Sequence, residues 1–289
     1  MNFLKKIFLP ITLPLKFIQE HFKAVLFVLI LFLLFAPQSE QDLQSNNLQE
    51  IALVGSIIDA TDIVEQIDAA TDNDDIKGVL LSVSSPGGAV SPSIEIAYAI
   101  KRLRAKKPVV AYAKGTMASG SYYSCIWADE IIANPGSMIG SIGVIMEGTD
   151  LSGIMQKIGI KTQVVKAGKY KELGTSDRKW SKFELKELNK VIQGTYDMFS
   201  KDVADARGLD IKNRDSFANA HIFTALQAKE VGLIDSLGVG YDARQRLITL
   251  SGVKSPVWNK ENKFDKFIKR LSASTAVTLQ TYFPTLILK

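Results

Sequence analysis

Two apolar runs thirty residues apart constrain the fold more than anything else in this chain: Gly78-Val-Leu-Leu-Ser-Val83 and Pro108-Val-Val-Ala-Tyr-Ala113. Each is near-continuous and not alternating, the pattern of a strand buried on both faces. Between them Pro92 to Arg104 reads as a helix, with Ile94, Ala97, Tyr98 and Leu103 on its inner face. A buried strand, a crossover helix and a second buried strand make a parallel pair. The alternation extends both ways, with strand Ile51–Val54 and helix Ile63–Ala70 before it, then a helix start over Ser119–Trp127 and strand Glu130–Ala133. The fold class expected is therefore α/β, a mostly parallel sheet covered on both faces. Farther on, Phe183, Leu185, Leu188, Ile192, Met198, Phe199 and Val203 mark a long amphipathic helix from Lys182 to Arg207. Ile222 to Asp235 reads as a helix closed by Gly232, then a short strand. No internal repeat is present.

The two ends differ from this middle. Ala24 to Ala36 is uninterrupted and apolar, preceded by Lys5, Lys6, Lys16 and Lys23. Basic residues ahead of such a run hold the N-terminus in the cytoplasm and send the remainder across. Extended back through Phe17, Ile18 and Phe22, with Lys23 snorkelling, the run approaches the roughly 20 residues a spanning helix needs. Leu34-Phe35-Ala36 lacks the small–x–small pattern of a cleaved signal peptide. An uncleaved transmembrane anchor over residues 1–37 is expected, then a polar linker over 38–47, a catalytic domain over 48–250 and a basic amphipathic tail over 251–289. The tail interleaves Lys260, Lys263, Lys266, Lys269 and Arg270 with Phe264, Phe267, Ile268 and Leu271, a pattern suited to a membrane surface, a neighbouring subunit or solvent. Of the net charge of +5, the first 37 residues hold four lysines against one glutamate, so the rest is close to neutral and a nucleic-acid partner is not expected. The single cysteine, Cys125, excludes an internal disulfide and any cysteine-based metal cluster.

Both central strands run into turns of small residues, Ser84-Ser-Pro-Gly-Gly88 and Gly115-Thr-Met-Ala-Ser-Gly120. In an open parallel sheet ligands bind beyond the carboxyl ends of the strands. Glycine amides there can point at a developing oxyanion, so Gly87 and Gly120 are candidate donors and Ser119 a candidate nucleophile. A serine needs a base. His21 lies beside the N-terminal apolar run, and His221 has no acidic neighbour in sequence, which disfavours a Ser-His-Asp triad. Lysine remains. At its ordinary pKa only about one amine in 2,500 is neutral at pH 7, and lowering that pKa by three units costs the charged form about 4 kcal/mol, within reach of burial. Lys114, the cluster Lys166, Lys169 and Lys171, and the Ser-x-x-Lys pairs Ser176/Lys179 and Ser251/Lys254 all qualify by residue type, and spacing does not choose among them.

Five segments in order resemble the signal peptide peptidase A (SppA) family. They are Ser84-Ser-Pro-Gly-Gly-Ala-Val90, Met117-Ala-Ser-Gly-Ser-Tyr-Tyr123, Ile139-Gly-Ser-Ile-Gly-Val144, Lys166-Ala-Gly-Lys-Tyr-Lys-Glu172 and Ala228-Lys-Glu-Val-Gly-Leu-Ile-Asp235. The resemblance covers roughly residues 48–240 and fits the short form with one catalytic domain. It implies a Clp-protease/crotonase-like ββα superhelix, with Ser119 as nucleophile and Lys171 as general base. Gly87 and Gly120 would form the oxyanion hole, and Ser141 would hold the lysine amine. It implies no cofactor and no metal. The implied function is a serine endopeptidase, membrane-anchored in the bacterial inner membrane with its catalytic domain on the periplasmic side. Its substrates would be cleaved signal peptides and other short or unfolded hydrophobic peptides. It also implies a homo-oligomeric ring whose sites are shared between adjacent subunits. A crotonase-type acyl-CoA enzyme and an inactive scaffold are the alternatives on the same fold. The chain departs from the family pattern in Ser121, where a second glycine is common, and in Ala220-His-Ile-Phe-Thr-Ala225, which replaces a commoner Gly-Arg…Thr-Gly pattern.

Overall fold

The computed structural model describes residues 46–259 and, ahead of them, residues 19, 21–24, 26 and 27. The chain divides at Ser45/Asn46. The spanning helix expected within residues 1–37 is not found: no helix among the described residues is long and apolar enough to cross a membrane. Most of the run Ala24–Ala36 lies outside the described residues. A membrane anchor, a membrane partner and a single-pass inner-membrane location are accordingly withdrawn. Most of the linker and the tail beyond Asn259 lie outside the described residues.

From Asn46 onward the strands are β1 (Leu48–Val54), β2 (Gly78–Ser85), β3 (Val109–Ala118), β4 (Glu130–Ala133), β5 (Met138–Gly140), β6 (Ile222–Thr224) and β7 (Ser236–Leu237). The helices are α1 (Thr61–Asp72), α2 (Val90–Arg104), α3 (Gly120–Cys125), α4 (Ser152–Lys157), α5 (Lys182–Arg207), α6 (Ala225–Glu230) and α7 (Gly240–Ser251). The sheet runs β1-β2-β3-β4-β7 with every pair parallel, as the apolar runs imply. One antiparallel pair, β5 with β6, makes it mixed.

Alternation along the central strands sorts the core into two layers. Val79, Leu81, Val83, Val109, Ala111 and Ala113 join the layer that contains residues of α1, α2, α3 and α5. Leu80, Val110 and Tyr112 pack with Ala243 and Leu247 of α7. Each fully buried leucine contributes about 1.5–3 kcal/mol, and Leu80, Leu81 and Leu247 are all buried.

Three local differences from the sequence reading follow from long-range pairing. β3 does not stop at Ala113 but continues to Ala118, because β4 pairs with Val110–Ala113 and β5 then takes over along Thr116–Ala118. Ile222–Thr224 is a strand and not the start of a helix, since it pairs with β5; the helix begins at Ala225. Tyr98, placed on the inner face of its helix by periodicity, is 50% exposed, with the Lys101 ammonium near its ring.

Residues 257–259 return to β1 at the sheet edge. Trp258 forms a parallel bridge with Leu48. Asn47 and Leu48 amides donate to Val257 O, and Asn259 donates to Leu48 O.

Candidate active site

Ser119 sits where β3 gives way to α3, with φ 53° and ψ −126°. Such a conformation costs a non-glycine residue about 1–3 kcal/mol and persists only where its surroundings fix it. Here the Ser119 amide donates to Gly140 O at 2.7 Å, and Ser119 O accepts from the Tyr123 amide at 3.0 Å. The turn therefore lifts a half-buried hydroxyl to the carboxyl end of the sheet, and Ser119 Oγ has no hydrogen-bond partner among the described residues.

The Pro-Gly-Gly turn lies directly against it. A Cβ on Gly87 (φ 97°) would come within 2.6 Å of Gly120 N and 2.8 Å of Ser119 Cβ, so only glycine fits. The Gly87 amide itself donates to Ser85 Oγ at 3.2 Å. The free N–H groups are those of Gly88 and Gly120, neither of which has an acceptor among the described residues. Gly88 N lies 3.3 Å from where a Cβ on Gly120 would be. Gly88, absent from the residues expected from sequence, is thus the unpartnered amide of that turn.

Ser121 binds the two turns together. Its buried hydroxyl accepts from Ala118 N at 2.9 Å and reaches Ser85 O at 2.7 Å. The serine in place of a second glycine therefore faces inward, away from the cleft.

Next to Ser119 is a cavity of about 30 Å³, with Val90 and Ile94 of α2 and Met198 and Phe199 of α5 among its lining residues. That exceeds the roughly 10–15 Å³ one water occupies, and the apolar lining suits a small aliphatic side chain. Tyr123 also lines it, set edge-on to Phe199 at 5.0 Å, with its hydroxyl donating to Asp202 Oδ2 at 2.5 Å. Burial and the Asp202 carboxylate push the Tyr123 hydroxyl well above the usual phenol range, so it is no base. Tyr122 is instead a core residue bonded to Leu233 O, and Met146 is exposed away from the cavity. Burial likewise raises the Cys125 thiol far above its ordinary value, leaving it inert.

The other expected residues sort cleanly. Ser141 (φ 49°) follows Gly140, so it is one peptide unit from the carbonyl that holds Ser119; its own amide donates to His221 O at 2.7 Å. The His221 ring meets Phe223 and no carboxylate. Lys114 is exposed on β3. Lys166 is paired with Glu172, and Lys169 lies over the Phe183 ring at 5.1 Å. The Lys171 ammonium is exposed and has no partner among the described residues. Among the described residues no lysine lines the Ser119 cavity. Among the described residues no group of histidines, cysteines and carboxylates could hold a metal ion.

A strained serine beside two free amides and an apolar cavity at the end of a parallel sheet is an arrangement that would suit a serine hydrolase. The sequence model of peptidase family S49 matches residues 101–254, and the chain belongs to that family. It is 41% identical over 198 residues to a putative protease of Methanocaldococcus jannaschii, covering 68% of this chain and 64% of that protein. It is 39% identical over 175 residues to a putative protease of Synechocystis sp., covering 61% and 63%. With a putative signal peptide peptidase SppA of Enterococcus faecium it shares 36% over 173 residues, covering 60% and 50%. The chain thus spans less than two thirds of the length of these relatives. A ClpP1 mutant from Listeria monocytogenes superposes on 67% of the chain and 93% of its own, with a TM-score of 0.47 and 16% identity. That membership supports a serine-peptidase classification over the acyl-CoA enzyme alternative and is consistent with the short form that has one catalytic domain.

Proposed function

We propose that this chain is a serine endopeptidase in which Ser119 attacks the scissile carbonyl and Lys171 of a neighbouring copy takes the hydroxyl proton. The amides of Gly88 and Gly120 hold the tetrahedral oxyanion. As the intermediate collapses, the lysine returns its proton to the leaving amine, the peptide C–N bond breaks, and an acyl-Ser119 ester remains. Water, deprotonated by the same amine, then hydrolyses the ester. The observation that carries this reading is the forced backbone of Ser119 at the cavity mouth, flanked by two amides without acceptors.

Two features support supply of the lysine from a second copy. The turn bearing Lys171 is tied through Glu172 and Arg178 to Glu184 in the first turn of α5. Thr195, the first α5 residue lining the cavity, lies eleven residues farther along that helix, about 16 Å away at 1.5 Å per residue. A rigid helix thus separates a chain's own lysine turn from its own serine. The segment from 145 to 171 also leaves Ile145, Ile154, Ile158 and Val165 largely exposed, an apolar surface that assembly into a ring would cover. A lysine entering the neighbour's cleft would meet Ser141 beside Ser119 and lose its water, which is the condition for a neutral amine. Substrates in this reading are short or unfolded peptides with a small apolar residue before the cut, including remnants of signal peptides.

A fluorophosphonate probe tests it. Labelling is expected at Ser119, lost in Ser119→Ala and suppressed in Lys171→Ala. Co-expressing the two inactive variants should restore labelling in mixed assemblies. Labelling that survives Ser119→Ala, or none in assembled wild-type protein, would overturn the peptidase reading. Failure to complement would overturn the shared site alone.

A further inference from the structure

The lysine turn contains an ionic chain that the peptidase chemistry does not itself require. Lys166 is paired with Glu172. Glu172 Oε2 is 3.3 Å from Arg178 Nη2, and Arg178 grips Glu184 with both terminal nitrogens, at 2.8 and 2.9 Å. Glu184 is only 2% exposed and also accepts from the Ser181 amide and hydroxyl, each at 2.7 Å. Arg178 above all, then Ser181, holds the Glu184 carboxyl far below the ordinary carboxylate range, so the pair stays charged. The loop is pinned nearby by Trp180 Nε1 on Thr175 O and by the Leu151 amide on Ser176 O, both 2.7 Å.

We infer that Arg178 and Glu172 are positioning residues for Lys171: a planar guanidinium joins the carboxylate next to Lys171 to the buried carboxylate that begins α5, and so fixes where that amine is presented. This rests on the reading of Lys171 as the base. An isolated exposed ion pair does little, but here one end is buried and bidentate, which converts attraction into geometry. The chain also explains why Lys171 is the free amine of its cluster. Lys166 neutralises Glu172 from one side and Arg178 from the other, so the carboxylate adjoining Lys171 is already engaged and does not capture it. Displacing a catalytic group by about 1 Å costs up to 100-fold in rate.

The test uses the full chain, a fluorophosphonate probe for Ser119 and a short fluorogenic peptide with alanine before the scissile bond. Glu172→Gln leaves the Arg178–Glu184 pair and the start of α5 intact, so folding is not at stake. It is expected to lower kcat and the maximal labelling rate roughly 10- to 100-fold, with KM within a factor of about two. Arg178→Ala should do the same, and millimolar guanidinium should restore part of the rate, which it would not do for a merely destabilised protein. Wild-type kcat in Glu172→Gln overturns the inference, whatever Arg178→Ala does, including failure to assemble. Absence of guanidinium rescue in an assembled Arg178→Ala protein also counts against it. Full labelling of Lys171→Met would instead bring down the base assignment itself, whereas an inactive Lys171→Met beside fully active Glu172→Gln sinks the positioning role alone.

Discussion

Ser119 hangs from Gly140: the amide of the one donates to the carbonyl of the other across 2.7 Å, at the point where β3 and β5 end side by side. Because Ser141 comes next after Gly140, the same bond that holds the serine turn also sets where a second hydroxyl stands. Both serines have positive φ, 53° and 49°, at the ends of adjacent parallel strands. Placing them there depends on β3 outlasting β4.

Gly87→Ala should abolish labelling of Ser119. A methyl there meets backbone at 2.6–2.8 Å and φ is 97°, so the turn must move or strain by about 1–3 kcal/mol. The expected readouts are a lowered Tm and no labelling. A variant of wild-type reactivity would show that the two turns are not in register.

Removing the Ser121 hydroxyl leaves the buried Ala118 amide without that acceptor. Ser121→Ala is expected to destabilise the protein by about 1–3 kcal/mol in denaturant unfolding, with a slower Ser119 labelling rate. Ser121→Val should be worse, since the site is fully buried. Unchanged stability in both would remove Ser121 as the tie between the turns.

Peptide preference should follow the cavity. Met198→Ala enlarges a space of about 30 Å³ that now suits a small side chain. Relative kcat/KM for leucine over alanine before the cut is expected to rise by roughly 10-fold, in the range that one or two methylenes command. A flat preference across the variant would place the side chain elsewhere.

Acid should unmask Glu184. Its folded pKa is depressed, chiefly by Arg178, so it contributes stability above its ordinary value of 4.5, and that contribution is lost as pH falls through the folded value. Thermal unfolding of wild type and Glu184→Gln should therefore differ most near pH 7 and converge as the pH drops well below 4.5. A gap that stays constant down to pH 2 would mean the carboxylate charge is not what matters.

Much of this architecture is legible in the chain because local signals and long-range pairing agree there. Gly78–Val83 and Pro108–Ala113 are apolar enough to be central strands wherever they are put, and Ser119 is marked by the small residues around it. Ile222-Phe-Thr224 is not legible: three residues have no period, and their strand state comes from β5, some eighty positions earlier. Periodicity places Tyr98 on the inner face of its helix, yet it is half exposed, with the Lys101 ammonium near its ring. The adjacent glycines 87 and 88 are chemically identical in sequence, and only the Ser85 hydroxyl tells their amides apart. Lys166, Lys169 and Lys171 are equivalent by composition, and become distinct only when Glu172 and the Phe183 ring engage the first two.

Trp258 beside Leu48 has a consequence for how the polypeptide is made. Of the described strands β1 leaves the ribosome first, yet its flank is covered by residues 257–259, so it waits with that flank open while two hundred residues are added. An unpaired flank of that kind invites pairing with other chains. Nascent chains halted before Val257 should therefore clump on release, whereas those halted just past Asn259 already carry their own cover.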